Sequence, residues 1–396
     1  MRRRIIAYLT SFLLVSSFPN AFYVYQIHRK NPKAVFVNEE AAFLRRKINF
    51  YKNHKKNFNF LFAGDSRTYL GIDPQDIDAL LNASSYNLGA AGHWFATQYP
   101  MFLDLLPEIP KGTVLVWSIG HDNFHEAHEM VNKNYPIPLK SVPLYLKSGF
   151  SLKDIYQNVF AYDLLEPYCD LLPGFSLFAR RKYFYNRFNE SLSKDIGTFF
   201  GKSKNPPKKG VPLSKCRNYE AYLKIRKLYK KNPEAVGFEP KVHDGVITLV
   251  LVHKVRGSLL AIELEPDYYR REQSNMKPDL KLTQNDIHPD PRLSKLFDAM
   301  LDLLKASGVA VIVNEFQEAP YTYANPRSYE AHVNFMRGIE KKVRQKGFGY
   351  IRADFSQLKS DFYYDEDHFN QRGVKLYARL FAAEIERLRR KDTHAL

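Results

Sequence analysis

Short runs of uninterrupted apolar residues alternate along this chain with longer segments whose apolar positions recur every three or four residues. "FNFLFAG" (58–64), "SYNLGAAG" (85–92), "GTVLVWSIG" (112–120), "VAVIVNEF" (309–316) and "FGYIRADF" (348–355) are of the first kind. Each is short, rich in β-branched or aromatic residues and edged by glycine, the pattern of a strand buried on both faces. Between and after them lie helical patterns at 71–84, 291–308, 328–346 and 373–390. In the second of these, Leu293, Phe297, Met300, Leu301 and Leu304 form one stripe, and Gly308 supplies a C-terminal stop. Strands alternating with helices at this spacing predict an α/β fold, a parallel sheet covered on both faces. Ligands of such sheets bind beyond the carboxyl ends of the strands. That rim should carry Gly64-Asp65-Ser66, Gly89 to Gly92 and Gly120 to Asn123.

The alternation breaks at 125–289, which reads as a long insertion on the same rim. It contains both cysteines, "FARRKYFYNRF", the loop-like "KSKNPPKKG" (202–210) and a strand-like "VITLVLVHKV". The two flanking parts, 57–124 and 290–396, then belong to one domain, preceded by a helical basic connector at 31–56.

Residues 1–30 change the picture at the other end. After Arg2 to Arg4 no charge appears across Ile5 to Ile27, 23 residues or about 34 Å of helix, enough for a hydrocarbon core of about 30 Å. An uncleaved transmembrane anchor is the leading reading; a cleaved signal peptide and a buried soluble helix are the alternatives. Lys and Arg flank the run on both sides, so charge alone does not set its orientation.

Composition is ordinary for a globular protein at 45% hydrophobic and 26% charged, which excludes global disorder. The formal charge of +17 is not ordinary, and it favours anionic partners. It is concentrated between Gly201 and Lys231, where eleven Lys or Arg face one acidic residue, Glu220. Lys208, Lys209 and Lys215 in this cluster are candidate polymer-binding residues, against the plainer reading of a solvated face. No nucleic-acid reading module accompanies it, so nucleic acid is not an expected partner. Cys169 and Cys216 show no C-x-x-C spacing; they are two thiols or one disulfide.

Near the C-terminus, "DFYYDEDHFNQRG" (361–373) places Asp365 and His368 at D-x-x-H spacing. Asp365 can then orient one imidazole nitrogen while the other serves Ser66, the arrangement of nucleophile, base and orienting acid. Asp361, Asp365, Asp367 and His368 would also suit a cation, but no second carboxylate group stands beside them, and no metal or cofactor is expected. His121, His125 and His128 resemble a ligand ladder at helical spacing, and a solvated helix face explains them as well.

GDSR at 64–67, NLGAAG at 87–92 and DEDHFNQRG at 365–373 resemble the ordered blocks of the SGNH/GDSL hydrolases. The resemblance covers the first ~125 and last ~110 residues and omits the insertion. It implies a three-layer α/β/α flavodoxin-like fold, a Ser66–His368–Asp365 triad, and an oxyanion hole built from the backbone N–H groups of Ser66 and Gly92. The third block departs from the family's Gly-x-Asn-Asp, reading Gly120-His121-Asp122-Asn123, so that a carboxylate stands at the donor position. Either Asn123 or His121 turns in to replace it, or the hole has two donors.

A membrane-tethered protein of this kind resembles those that modify cell-envelope polymers together with a membrane-bound O-acyltransferase (MBOAT). By that resemblance the domain lies outside the cytoplasm, anchored in the cytoplasmic membrane. Ser66 would there pass an acyl group, acetyl foremost, to a polysaccharide or teichoic-type polymer. An esterase acting on the same polymer, and a non-catalytic assembly or binding protein on the same scaffold, are the alternatives.

Overall fold

A computed structural model describes residues 39–125, 141–151, 212–266, 281–352 and 355–391. The chain divides into two compact units, one of Met1–Ala41 with Met130–Gly210 and one of Ala42–Glu129 with Val211–Leu396. The apolar run 5–27 lies outside the described residues; among those residues, no helix is long and apolar enough to cross a membrane. Of the first unit, the described part is chiefly a short helix, Val142–Ser148, closed by Gly149.

The second unit begins within α1 (Glu39–His54) and continues through β1 (Phe60–Ala63), α2 (Ser66–Gly71), α3 (Pro74–Leu81), β2 (Ser85–Asn87), α4 (Phe95–Leu105) and β3 (Val114–Ile119). After the interruption come α5 (Tyr219–Lys230) and the strands β4 (Ala235–His243), β5 (Val246–Lys254) and β6 (Leu259–Glu263). α6 (Pro291–Ser307), β7 (Ala310–Glu315), α7 (Pro326–Gln345), β8 (Gly349–Ile351) and α8 (Gln371–Lys391) complete it.

All five expected strands form one sheet, ordered β2-β1-β3-β7-β8, with every pairing parallel. This order is compatible with a flavodoxin-like α/β fold. Alternation along each strand sends Phe60, Phe62, Val114, Val116 and Ile312 to one face, where they meet Ile77 and Leu81 of α3 and Tyr377, Phe381 and Ile385 of α8. On the other face Trp117 packs among Phe95, Phe102 and Phe297, rings 5.3 to 5.6 Å apart. Offset and edge-on contacts of this kind add about 0.5 to 1.5 kcal/mol a pair beyond the area they bury.

The structure alters the sequence expectations at several places. The second and last strands are three residues long, because the glycine-rich exit after Asn87 and the polar stretch after Ile351 leave the ladder. α7 starts at Pro326, two residues earlier than its apolar stripe suggests, since Asn325 caps it by accepting the Ser328 N–H at 3.1 Å. The connector of 31–56 carries α1, whose Leu44, Ile48 and Tyr51 are buried and whose Phe50 stacks on Tyr86 of β2.

The insertion is the larger difference. Its described portion after Val211 belongs with the sheet: β4, β5 and β6 form an antiparallel sheet of their own. Val250 and Val252 of β5, with Leu260 and Ile262 of β6, join the core built on β1 and β3. Leu249, Leu251, Leu259 and Ala261 face the other way, against Tyr69 and Leu70 of α2. "VITLVLVHKV" is thus apolar at successive positions because both of its faces are covered.

Candidate active site

The candidate site is assembled on the rim formed by the carboxyl ends of β1, β3 and β7. β1 ends at Ala63, and the chain turns sharply through Gly64. A Cβ on Gly64 would strike the Thr68 hydroxyl and the Ser118 carbonyl, so glycine is what lets α2 start this close to β3. Asp65 caps α2 by accepting the Arg67 N–H at 3.0 Å. Ser66 becomes the first helical residue and is half-buried, and no hydrogen bond holds its hydroxyl among the described residues.

Block two has a structural task the sequence did not disclose. Asn87 is fully buried; its Nδ2 donates at 2.8 Å to the carbonyls of both Thr68 and Ile72, and its Oδ1 accepts the Gly89 N–H at 2.8 Å. One side chain therefore satisfies the end of α2 and fixes the glycine-rich turn beside it. Gly92 lies exposed in that turn with φ +62°, and His93 is buried behind it. Burial holds the His93 imidazole down to about 4, so it is neutral at pH 7.

The D-x-x-H element leads into α8. Asp365 Oδ1 accepts the backbone N–H of His368 at 2.8 Å and of Asp367 at 3.1 Å, a local turn that pins its carboxylate. His368 Nδ1 lies 2.9 Å from both Asp365 oxygens and 2.9 Å from Asp367 Oδ1. Tyr364 stacks on the imidazole with ring centroids 5.6 Å apart. The opposite nitrogen, Nε2, is buried and has no hydrogen-bond partner among the described residues. Burial alone would disfavour an imidazolium, but Asp365 and Asp367 outweigh it and hold His368 well above its ordinary range. Asp365 is shifted the other way: burial opposes ionisation, yet His368 and the two N–H donors bring it below the usual carboxylate range.

This loop sits against α2. Phe369, next to His368, lies where a Cβ on Gly71 would meet it at 3.2 Å, and Tyr364 packs with Tyr69 and Leu70. The Ala319 N–H binds the Glu366 carbonyl at 2.7 Å, tying the loop to the segment after β7. The helix carrying Ser66 and the turn carrying Asp365 and His368 are therefore in direct packing contact. No hydrogen bond joins Ser66 to His368 itself; catalytic hydrogen bonds are often long before substrate binds.

The third block turns inward. Asn123 is fully buried: its Oδ1 accepts from Gly120 N at 2.8 Å and from Arg67 Nη2 at 3.1 Å, and its Nδ2 donates to Asp65 Oδ2 at 3.0 Å. Arg67, only 1% exposed, occupies the space that the missing side chain of Gly120 leaves open. Its guanidinium pairs with Asp65 and Asp122 and reaches Glu318 Oε1 at 3.2 Å. Asp122 thus stands as a counter-ion to Arg67. Burial raises its carboxyl to about 7, Arg67 pulls against that rise, and Asp65 and Glu318 add to it.

Arg67, Glu315 and Glu318 were not singled out in the sequence. The available signal was that an arginine directly follows Gly-Asp-Ser while an unexpected carboxylate occupies block three. Among the described residues, two groups bring possible metal-ligating atoms within 4.8 Å of one another: Asp365, Asp367 and His368, and His121, Glu318 and His332. Lys215 is exposed at the end of a short 3-10 turn, whereas Lys208, Lys209, His128 and Cys169 lie outside the described residues. Cys216 is buried. Among known proteins, no family model matches the chain and no curated protein matches it significantly.

Proposed function

We propose that this chain is an SGNH-type serine O-acyltransferase, anchored by residues 5–27 with its catalytic unit outside the cytoplasm. The observation that carries the reading is His368: Nδ1 is fixed on a carboxylate, while Nε2 is unpaired in a loop packed against the helix that begins with Ser66. In this mechanism His368 Nε2 removes the Ser66 hydroxyl proton as Oγ attacks the donor carbonyl. The tetrahedral oxyanion is held by the backbone N–H groups of Ser66 and Gly92. Its collapse expels the donor's leaving group, which takes the proton from His368 and leaves an acyl-Ser66 ester. An acceptor hydroxyl then attacks that ester, losing its proton to His368 and restoring the serine. Asp365 fixes the tautomer and stabilises the imidazolium throughout. The Asn123 amide is committed to Asp65 and Arg67, so the two-donor form of the oxyanion hole is the one we adopt.

The acceptor we propose is a cell-envelope polysaccharide or teichoic-type polymer, with an MBOAT protein as the acyl source in the membrane. Support for a polymer lies in the +10 balance of 201–231, to which the exposed Lys215 belongs. The test is a fluorophosphonate probe and a small activated acyl ester applied to the full chain in detergent and read by intact mass. An adduct on the wild type that is absent from Ser66→Ala is expected. A folded wild type that takes no adduct from either reagent would overturn the nucleophile assignment.

A further inference from the structure

The buried polar centre beneath the rim contains more carboxyl groups than arginines. Asp65, Asp122 and Glu318 surround Arg67, and Glu315 lies 3.7 Å from Arg352 Nε. Four carboxyl groups thus face two guanidinium groups. Burying such a surplus is costly unless a cation or protons neutralise it.

His121 and His332 border the excess. His121 Nδ1 is 3.1 Å from Glu318 Oε1, and His332 Nδ1 is 4.0 Å from Glu318 Oε2. His332 is 0% exposed, and neither of its nitrogens has a hydrogen-bond partner among the described residues. An imidazole enclosed with both nitrogens unused is unusual, since buried polar groups are nearly always paired. Glu318 is oriented by Tyr323, whose hydroxyl donates to Oε2 at 2.8 Å, as outer hydrogen bonds fix a ligating carboxylate.

We propose that His121, Glu318 and His332 form a buried site for a divalent transition-metal ion, with Zn²⁺ the best match to two imidazoles and one carboxylate. Separations of 3.1 to 4.8 Å among the donors suit an ion holding each at about 2.0 to 2.2 Å after a small inward movement. The ion adds positive charge among the surplus carboxyl groups and cross-links block three, the segment after β7 and α7. Arg67 also touches Glu318, but its charge is already met by Asp65 and Asp122.

The experiment uses the full chain in detergent, stripped with a chelator and titrated at neutral pH with Co²⁺ alone and then Zn²⁺ alone. Visible d–d absorption and a rise in melting temperature are recorded for wild type, His332→Gln and His368→Ala. Expected are stoichiometric Co²⁺ bands displaced by Zn²⁺ in wild type and His368→Ala, and their loss in His332→Gln. Failure of the wild type to bind would overturn the site and leave protons as the neutralising charge. Retention of full binding in His332→Gln, or loss only in His368→Ala, would also overturn it by moving the ion to Asp365, Asp367 and His368. Should His332→Gln fold poorly, binding retained by His368→Ala still places the ion away from Asp365, Asp367 and His368, and binding lost there overturns the site.

Discussion

Replacing Arg67 with methionine tests the charge arrangement most directly, because the stem volume is kept while the cation is lost. Arg67 is 1% exposed and engages Asp65, Asp122, Glu318 and Asn123 at once. Asp122 is 20% exposed at its side chain and can turn to water, whereas Asp65 and Glu318 are enclosed at 2% and 5%. The variant must therefore neutralise at least one enclosed carboxylate or bury it unpaired. Protonating one ordinary carboxylate at pH 7 costs about 4 kcal/mol, close to the 3–5 kcal/mol that breaking a buried ion pair typically removes. The chain's two tryptophans, Trp94 and Trp117, lie in the same unit, so their fluorescence follows its unfolding in urea. With a slope of about 2 to 3 kcal/mol/M, the midpoint should fall by about 1 to 2.5 M.

The pH dependence of that loss separates the electrostatic account from simple packing damage. In Arg67→Met the carboxylates have folded pKa values raised above their unfolded ones, so stability falls as pH climbs past the unfolded value. The deficit relative to wild type should shrink by about 1.4 kcal/mol for each unit that pH drops between 7.5 and 5.5. Adding Asp65→Asn, which keeps a capping side chain for α2, should recover part of the deficit as positive coupling in a double-mutant cycle. A loss below about 1 kcal/mol, or one that is independent of pH and of Asp65, would refute the reasoning.

Two further outcomes follow from the site. Because Asp365 and Asp367 hold the His368 imidazolium well above the ordinary range, acylation of Ser66 should rise with pH to a midpoint above the usual 6.5. A midpoint at or below that value in the pH–rate profile would contradict the geometry. The same raised pKa makes the His368–carboxylate contact stabilising below the unfolded pKa, with the benefit lost as pH rises through the folded one. Gly64→Ala should lower stability by about 1–3 kcal/mol, since the new methyl meets the Ser118 carbonyl as well as the Thr68 hydroxyl. An unchanged melting curve would show that α2 can back away from β3 at little cost.

The parallel sheet was legible because its strands are covered on both faces and so carry unbroken apolar runs, and the helix stripe of Leu293, Phe297, Met300, Leu301 and Leu304 lies buried as its spacing implies. Asp365 and His368 were legible for a local reason: three residues of chain suffice to bring the carboxylate back onto the imidazole. The antiparallel layer was not, because β5 carries no hydrophobic-polar alternation to distinguish a strand inserted into a core from an excursion. Arg67, Glu318, Asn87 and His332 were hidden for a different reason. Each takes its role from partners distant in sequence, Arg67 and Glu318 being 251 positions apart. Pairings of that kind have no local periodicity to read.

The departure in block three also bears on why the rim tolerates so much buried charge. An asparagine at position 122 would leave Arg67 with one fewer counter-ion, while a residue other than glycine at 120 would collide with the guanidinium. Gly120, Asp122 and Arg67 are therefore mutually dependent, and the carboxylate is explained by the arginine three residues into the first block's turn and not by the oxyanion. The two imidazole environments on the same rim then divide by charge. His368 meets two carboxylates through one nitrogen and is pushed toward its protonated form, which suits a group that must exchange a proton. His332 is enclosed with no hydrogen bond among the described residues and kept neutral by burial. The same residue type is thereby set to opposite protonation preferences within one unit: carboxylates at 2.9 Å outweigh burial at His368, whereas burial prevails at His332, whose nearest carboxylate oxygens stand 3.9 and 4.0 Å away.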